Sequence, residues 1–217
     1  MSTTRIGTRA ESRETTRRSI LEQAGAILAD KGPHALSMRR LAEAVGASTI
    51  VLYTHFSNKQ EILNELYLEG FSRLRTELAQ VPLADDPLDY VTSLGRAYRG
   101  SALASPTHYQ IMFSPCFKDF SPTPTSLETS KACFDVLRAG VQRCAEAGFG
   151  EPTSVDETAE VLWGTLHGLI SLELIGYWGS PEAGAARVED AMQMLRAGLN
   201  QQRAPGQQTP VVPRPRP

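Results

Sequence analysis

One glycine, Gly46, lies between two short segments of helical character, and this arrangement constrains the local fold more tightly than any other feature of the chain. Ser37 opens the segment before it, SMRRLAEAV, and Ser48 precedes the segment after it, TIVLYTHF. A serine in such a place is a typical helix N-cap, because its hydroxyl accepts a backbone N–H of the first turn. Glycine readily takes the positive φ of a sharp turn. The sequence therefore predicts two short helices joined by a tight turn.

The apolar residues around this turn indicate how the two helices cross. Ala42 supplies a small side chain where the helices would approach closely, and Leu52 can pack back onto Leu41 and Val45. This spacing is what a helix-turn-helix requires, in which the second helix enters the major groove of DNA. Any pair of antiparallel helices could share the apolar pattern, so the pattern alone does not establish DNA binding.

The polar side chains on the opposite face of the motif point to DNA. Tyr53, His55 and Lys59 each carry a group that can donate a hydrogen bond to a phosphate. Taken singly, each has an ordinary explanation, such as a helix-end histidine satisfied by a carbonyl. Taken together at this spacing, they favour DNA contact. The residues expected to contact DNA are Ser37, Arg39, Arg40, Ser48, Thr49, Ile50, Tyr53, His55 and Lys59.

The distribution of charge is uneven along the chain. The net charge is −2, but residues 1–60 carry nine Lys and Arg against five Asp and Glu, a net charge of +4. Residues 61–217 carry thirteen against nineteen, a net charge of −6. A basic head on an acidic body places the attraction for phosphate where the motif lies. The asymmetry is modest and would not alone identify nucleic acid as the partner.

Residues 15–63 resemble the DNA-binding domain of the TetR/AcrR family of one-component transcriptional repressors. The resemblance rests on the amphipathic first helix, the run Ser37-Met38-Arg39-Arg40-Leu41-Ala42, Gly46, and the run Leu52-Tyr53-Thr54-His55-Phe56-Ser57-Asn58-Lys59. The Leu-Tyr-x-His-Phe-x-x-Lys pattern in the last run is quite specific to the family. The resemblance implies that Tyr53, His55 and Lys59 clamp phosphates and that Ser37 supports a phosphate contact.

Base reading is the point at which the chain departs from the usual family pattern. The resemblance implies that Arg39 and Thr49 touch bases. Positions 50 and 51 are often small or polar in such proteins, whereas this chain has Ile50 and Val51. Neither side chain offers a hydrogen bond, although either could contact the methyl group of a thymine. The base preference of relatives is therefore not transferred to this chain.

Helical periodicity without strand alternation predicts an all-α fold, with a three-helix helix-turn-helix domain followed by a helical ligand-binding and dimerisation domain. The helices are expected at 15–31, from Ser37 to the glycine turn, from after Ser48 to His55, and at 59–78, 87–104, 107–113, 125–147, 154–178 and 184–202. The predicted regions are a flexible arm at 1–14, a DNA-binding domain at 15–60, a regulatory and dimerisation domain at 61–202, and a disordered Pro-rich tail at 203–217.

Gly164 and Gly168 lie four residues apart on one face of a predicted helix, where they would allow another helix to approach closely. Glycine costs about 1 kcal/mol relative to alanine inside a helix, so a compensating gain in packing is reasonable. The surrounding Trp-x-x-x-His-Gly pattern resembles a C-terminal module found in one branch of the same family. That resemblance implies that helices 154–178 and 184–202 build a two-fold, four-helix dimer interface.

Aromatic and polar-tipped side chains in the second region suggest a pocket for a small-molecule effector. The predicted lining residues are His108, Tyr109, Met112, Phe113, Trp163 and His167. Core packing with a satisfied histidine explains any one of them equally well, so both interpretations stay open.

The chain lacks the sequence signals of an enzyme, a cofactor site or a metal centre. It contains no GxSxG, Walker A or GxGxxG pattern, and His167 has Trp163 and Ser171 four residues away instead of metal ligands. The three cysteines are interpreted as small buried hydrophobes in a reducing compartment. No apolar run is long enough to span a bilayer and no signal peptide is evident, so a cytoplasmic protein is expected.

The leading hypothesis is a homodimeric repressor that binds a pseudo-palindromic DNA operator and leaves it when a small molecule enters the second region. One rival is an effector-independent regulator or an activator, which predicts no compound that both stabilises the fold and releases DNA. A rival from another class is a helical protein-interaction module or an enzyme, which predicts no sequence-specific binding to duplex DNA.

Overall fold

The computed structural model describes residues 9–113, 117, 120–149 and 154–201 of the chain. Within these residues all regular secondary structure is helical, which confirms the predicted all-α fold. The helices are α1 (Arg9–Lys31), α2 (Met38–Ala44), α3 (Thr49–His55), α4 (Lys59–Ala79), α5 (Pro87–Ala104), α6 (Pro106–Phe113), α7 (Pro124–Glu146), α8 (Val155–Leu174) and α9 (Pro181–Gln201).

The first helix begins earlier than the sequence indicated. It starts at Arg9, so residues 9–14, which were expected to belong to the arm, are part of the helix. No proline or glycine interrupts this segment, and the hydroxyl of Thr15 donates back to the carbonyl of Glu11 (2.8 Å), one turn earlier in the same helix. Because nothing local stops the helix, it continues past the first apolar residue. Residues 1–8 of the arm lie outside the described residues.

The last two helices also differ from their predicted bounds. α8 ends at Leu174, earlier than expected, because Gly176 takes a φ of 75° and its N–H returns to the carbonyl of Glu173 (2.9 Å). α9 begins at Pro181, earlier than expected, since proline fits the first position of a helix. The predicted Pro-rich tail at 203–217 lies outside the described residues.

The described residues form two compact units. The first unit contains the residues up to 76 together with 101–132, and the second contains 77–100 together with the residues from 133 onward. α4, α5 and α7 contribute residues to both units, so no single cut in the chain separates them. The assignment of DNA binding to 15–60 and of regulation to 61–202 stays a prediction.

In the first unit, the helix-turn-helix closes over a small apolar core. Ile20 of α1, Leu41 of α2, Leu52 of α3 and Phe56 just after α3 are fully buried, and Ala42 is nearly so. α1 contacts both α2 and α3, and α2 contacts α3. The apolar stripe of the first helix and the crossing expected from the small residue in α2 are therefore both present.

The second unit has an apolar core of its own, to which α5, α7, α8 and α9 contribute. Its buried members are Leu88, Val141, Cys144, Ala145, Val155, Ala159, Leu162 and Leu199. Cys133 and Cys144 are buried, and burial raises the pKa of Cys144 to about 11. Cys116 lies outside the described residues. Among the described helices, none has both the length and the apolar character needed to cross a membrane.

Candidate nucleic-acid interface

The turn between α2 and α3 has the geometry predicted for it. Gly46 has a φ of 67°, and the N–H of Ala47 returns to the carbonyl of Ala42 (3.0 Å), which closes α2. Ser37 and Ser48 are the N-caps of α2 and α3, and each hydroxyl accepts a backbone N–H of the following turn at 3.3 Å. Since these bonds use each serine oxygen as an acceptor, each hydroxyl hydrogen can still be donated to another group.

α3 has one buried face and one exposed face. Leu52 is fully buried, whereas Ile50 is 76% exposed and Tyr53 is 56% exposed. Successive residues of an α-helix are rotated by about 100°, so Ile50 lies about 200° around the axis from Leu52 and points away from the core. Thr49, in the first turn, is exposed as well. The outer face of α3 therefore offers a hydroxyl, a branched aliphatic chain and a phenol.

Two arginines of α1, which the sequence pattern did not reveal, hold the C-terminal end of α3. Arg13 Nη2 donates to the carbonyl of Thr54 (3.2 Å), and Arg17 Nη1 donates to the carbonyl of His55. The last carbonyls of a helix have no partner within it, so a guanidinium there satisfies them and interacts favourably with the helix dipole. α3 is thus fixed through its backbone, which leaves its outer side chains unconstrained.

Arg17 also connects α3 to α4. Its guanidinium lies 4.1 Å from the centroid of the Phe56 ring, and its Nη2 lies 3.1 Å from Oε1 of Glu65. Its Nη1 lies 3.6 Å from Oε1 of Glu61. Burial opposes ionisation of Glu61, but hydrogen bonds from Ser57 and the charge of Arg17 outweigh it and lower the pKa of Glu61. One arginine therefore joins three helices of the first unit.

The two arginines at the start of α2 have different surroundings. The side chain of Arg39 is 87% exposed, and its Nε lies 3.2 Å from Oε1 of Glu43, one turn further along the helix. Arg40 Nη1 donates to the carbonyl of Ala35 (3.0 Å), in the short 3-10 turn Pro33–Ala35. Arg39 is therefore presented to solvent beside a carboxylate, whereas Arg40 partly holds the chain that enters α2.

The predicted phosphate donors differ in charge. Burial, and then the positive charges of Arg13 and Arg17, lower the pKa of the half-buried His55, which favours the uncharged imidazole. A neutral imidazole can donate through one nitrogen only. Lys59 opens α4, with its Nζ 5.9 Å from the centroid of the Phe117 ring. Lys59 thus supplies a positive charge, whereas His55 supplies an uncharged donor.

Three of the ligand candidates on α6 pack inside the first unit. The rings of Tyr109 and Phe113 meet edge to face with centroids 5.0 Å apart, and Phe113 lies 5.5 Å from the Phe71 ring of α4. Met112 covers Gly70, where an added Cβ would lie 2.6 Å from the methionine Sδ. These contacts are those of a packed aromatic layer, and a ligand role for the three residues stays a prediction.

The fourth candidate on α6 lines a cavity of the first unit. This cavity has a volume of about 780 Å³ and lies among α1, α4 and the start of α6. His108 faces it, with Nε2 3.5 Å from Oε2 of Glu69, and burial lowers the pKa of His108. No group of His, Cys, Asp and Glu side chains suited to a metal ion occurs in the described part of the chain.

The two candidates on α8 form a polar cluster inside the second unit. Trp163 Nε1 donates to the hydroxyl of Tyr98 (3.3 Å), and this hydroxyl lies 3.2 Å from Nδ1 of His167. The ring of Phe134 lies 6.0 Å from that of Trp163, and burial lowers the pKa of His167. Aromatic walls and polar tips are combined here, as small-molecule sites require. A pocket shared by the α6 and α8 candidates stays a prediction.

The two predicted interface glycines lie on an exposed face of α8. Within the described residues, nothing lies within 4 Å of a Cβ added at Gly164 or Gly168. Val161, one turn earlier on the same face, is 60% exposed, and Met194 on the neighbouring helix α9 is 74% exposed. The two helices contact each other. Each of the two helices therefore exposes an apolar side chain, and α8 also exposes the two glycines.

The two capped helices, joined at a glycine, with a buried inner face and an exposed outer face, form a helix-turn-helix, the motif that many DNA-binding regulators place in the major groove. Two family models match the same chain: bacterial regulatory proteins of the tetR family over residues 20–66, and the tetracycline repressor-like C-terminal domain over residues 91–195. The chain belongs to the TetR family of transcriptional regulators. Its special resemblance to the Trp-x-x-x-His-Gly branch stays a prediction.

The chain is also similar to individual regulators of known sequence. It is 25% identical over 207 residues to the HTH-type transcriptional regulator Rv1816 of Mycobacterium tuberculosis, and the match covers 82% of this chain and 88% of that protein. The HTH-type transcriptional regulator Mb1846 of Mycobacterium bovis matches to the same extent. These relatives support a DNA-binding regulator.

Solved structures with the same fold cover most of the chain. A protein of unknown function from Rhodococcus sp. RHA1 aligns with a TM-score of 0.74 and 25% identity over 92% of this chain and 99% of that one. The TetR family regulator PfmR from Thermus thermophilus aligns with a TM-score of 0.67 and 24% identity over 83% of this chain and 98% of that one. Both similarities extend well beyond the helix-turn-helix.

Proposed function

We propose that the protein is a homodimeric repressor that binds a pseudo-palindromic DNA operator and is released from it by a small molecule. The observation that carries this proposal is the way in which α3 is held against the rest of the first unit. Leu52 and the two α1 arginines, Arg13 and Arg17, fix the helix from the inside, while its other face projects into solvent. In a helix-turn-helix, such a face enters the major groove.

The polar groups around α3 divide their contacts between phosphates and bases. Tyr53, His55 and Lys59 hold phosphates, because a phenol, a neutral imidazole and an ammonium can each donate to a phosphate oxygen. Thr49, in the first turn of α3, and the exposed Arg39 contact base edges. Ser37, Arg40 and Ser48, at the starts of α2 and α3, make additional contacts to the DNA backbone.

Dimerisation takes place through α8 and α9, whose exposed residues include Val161, Gly164, Gly168 and Met194. Dimers are typical of the family, and the two glycines leave room for a close helix of the second copy. A two-fold pair carries two α3 helices, which suits half-sites about 34–36 Å apart. Gly168→Arg should convert the dimer to a monomer in analytical ultracentrifugation, whereas Gly100→Arg, on an exposed part of α5, should not.

The proposed effector enters the second unit near Tyr98, Trp163 and His167. Apolar walls with a few polar groups characterise small-molecule sites, and this cluster has both. A ligand that binds one conformation better than another shifts the population toward it. α4 contributes residues to both units, so a change in the second unit can reach the helix-turn-helix through it.

DNA binding is tested by selecting bound fragments from a genomic library and measuring affinities for the recovered operator. Tyr53→Phe and Lys59→Ala should weaken binding to specific and unrelated duplexes alike, and Lys59→Ala should reduce the salt slope by about one. Thr49→Ala should instead alter the preferred base at one position of each half-site. Recovery of no preferred fragment by the wild-type protein would contradict the proposed function.

Release by a small molecule is tested with compounds that raise the melting temperature of the protein. At least one of them should lower operator affinity, and Trp163→Ala should abolish that response while the variant still binds operator. If every stabilising compound leaves operator affinity unchanged, the protein is an effector-independent regulator.

A further inference from the structure

The first turn of α3 exposes two apolar side chains on the surface that is proposed to meet nucleic acid. Ile50 is 76% exposed, the highest value among the large apolar side chains of the described residues, and Val51 beside it is 41% exposed. Single exposed hydrophobes are ordinary on a protein surface. Here, however, two adjacent branched residues lie in the first turn of the helix that enters the groove, where both remain open to solvent.

One polar residue that shares the outer face with Ile50 is already engaged within the helix. Thr54 lies one turn after Ile50, also on the outer face, but its Oγ1 donates to the carbonyl of Val51 (2.7 Å). Its hydroxyl hydrogen is therefore used inside α3. The strip of α3 opposite Leu52 presents aliphatic carbon where many reading helices present hydrogen-bonding groups.

In the major groove, the group that matches aliphatic carbon is the 5-methyl of thymine, because the other bases present donors and acceptors there. We infer that Ile50, flanked by Val51, recognises a thymine methyl group in each operator half-site. This inference rests on the proposed function, since it assigns chemistry to the same DNA-binding face. The basic residues Arg39 in α2 and Lys59 at the start of α4 belong to the same helix-turn-helix region and suit a duplex as its partner.

The same contact disfavours other bases. A cytosine amino group or a guanine carbonyl placed against Ile50 would lose water without gaining a hydrogen-bond partner, which carries a desolvation cost. Specificity then comes from rejection as well as attraction. The selected operator should contain thymine at one fixed position, or at two adjacent positions, in each half-site.

The test uses deoxyuridine, which differs from thymidine only by the missing methyl group. Each thymine of the selected operator is replaced in turn, and the dissociation constant of the wild-type protein is measured. Burial of one methyl group corresponds to a factor of roughly three to five in affinity. One position per half-site, or two adjacent ones, should show this loss, and replacement in both half-sites should multiply it. Uridine elsewhere in the duplex serves as the matched control.

A variant separates a direct contact from an effect of uridine on DNA shape. Ile50→Ala should bind the thymine and uridine operators equally at the sensitive position, whereas Thr49→Ala should keep the difference. The side chain of Ile50 is largely exposed, so its removal leaves the core intact, which circular dichroism and thermal melting check. Replacing the sensitive thymine by cytosine should weaken binding, and 5-methylcytosine at that position should recover part of the loss.

The outcomes distinguish the inference from the proposed function. An operator that binds specifically but tolerates uridine at every thymine overturns the inference and leaves the proposed function standing. A uridine effect that persists when both Ile50 and Val51 are alanine also overturns it, because the effect then belongs to the DNA. Failure of the wild-type protein to select any duplex overturns both.

Discussion

Both units of the molecule use arginines to hold helices, and in the first unit α3 is held through its backbone carbonyls, although Arg17 also pairs with the carboxylate of Glu65. In the first unit, Arg13 and Arg17 of α1 donate to backbone carbonyls at the end of α3. In the second unit, arginines of α5 and α9 meet carboxylates of other helices or of the chain leading into α5. These pairs are Arg96 with Glu189, Arg99 with Glu173, and Arg196 with Asp86 and Asp89.

The pair of Arg99 and Glu173 is the most enclosed of these. Its side chains are 23% and 6% exposed, and Arg99 Nε donates to Oε2 of Glu173 at 2.9 Å. Gly184 of α9 lies directly against the carboxyl group, since an added Cβ there would be 2.6 Å from the glutamate Cδ. Three helices of the second unit therefore meet at one carboxylate.

The difference in acceptors determines which residues can be substituted without loss of stability. A backbone carbonyl is present whatever residue occupies the position, so the hold on α3 does not depend on its side chains. A carboxylate can be lost by substitution, and its buried partner is then left without compensation. The first unit can therefore change the outer face of α3 for its DNA sequence, whereas the second unit needs both members of each enclosed pair.

The largest effect is expected for Arg99→Ala. Removal of one partner from an enclosed ion pair leaves the buried carboxylate of Glu173 uncompensated, so the free energy of unfolding should fall by about 3 kcal/mol. Urea denaturation measures the loss. Arg96→Ala is the matched control, since that pair is about half exposed and should contribute less than about 1 kcal/mol. Equal losses in the two variants would show that enclosure does not distinguish the pairs.

Arg17→Ala should have the next largest effect, and it should change function as well as stability. Loss of a guanidinium that serves the carbonyl of His55 and the carboxylate of Glu65 should cost about 2 kcal/mol of unfolding free energy. Operator affinity should fall with it, because α3 is less firmly oriented. Arg18→Ala, at the exposed neighbouring position, should change stability by less than about 0.5 kcal/mol. An unaffected Arg17→Ala protein would remove the basis for backbone capping of α3.

Gly184→Ala should destabilise the second unit by a smaller amount. Crowding against the held carboxylate of Glu173 costs about 2 kcal/mol, and the better helix propensity of alanine offsets about 1 kcal/mol of it. The net loss should shrink when Arg99→Ala is also present, because the freed carboxylate can move aside. Gly100→Ala has open space around its Cβ in the described chain and should stabilise instead. Chemical denaturation of the wild type, Gly184→Ala, Arg99→Ala and the double variant measures the losses. Strictly additive losses of unfolding free energy would rule out the shared contact with Glu173.

The smallest effect concerns the exposed side-chain pair of the first unit. Glu43→Gln removes the carboxylate that lies 3.2 Å from Arg39 and so frees this guanidinium for DNA. Operator affinity should rise by about two- to three-fold at low salt, since exposed ion pairs contribute little, and the gain should fade as salt is added. Fluorescence anisotropy against salt concentration measures it. In an Arg39→Ala background the same change should yield a smaller gain, and an undiminished gain would assign the effect to net charge alone.

The parts of the fold that the sequence predicted well depend on local signals. α3 begins after Ser48 and ends at His55, and α5 runs from Pro87, all as expected. A cap, a glycine turn or a proline acts within a few residues, so its effect can be read directly from the chain. The predicted start of α1 was wrong because residues 9–14 carry no local signal that marks a helix end. The polar composition alone suggested a flexible arm there.

The parts that could not be predicted depend on contacts between distant residues. Arg17 and His55 are 38 positions apart, and Arg99 and Glu173 are 74 positions apart. Helical periodicity places each residue on a face of its own helix but does not identify the partner on another helix. The same gap affected His55, which was chosen as a phosphate donor from its position. Burial, and then the charges of Arg13 and Arg17, lower the pKa of its imidazole, and both depend on residues distant in sequence.

The grip of α1 on the carbonyls of α3 also bears on how a regulator of this kind acquires new targets. After gene duplication, one copy can exchange Thr49, Ile50 or Tyr53 without losing the anchors that orient the helix, since neither Arg13 nor Arg17 contacts those side chains through the hydrogen bonds described. Under the proposed function, each exchange would alter the DNA that is bound and leave the hydrogen bonds from Arg13 and Arg17 in place. The outer residues of α3 can therefore be substituted, by evolution or by design, while the hydrogen bonds that orient the helix are kept.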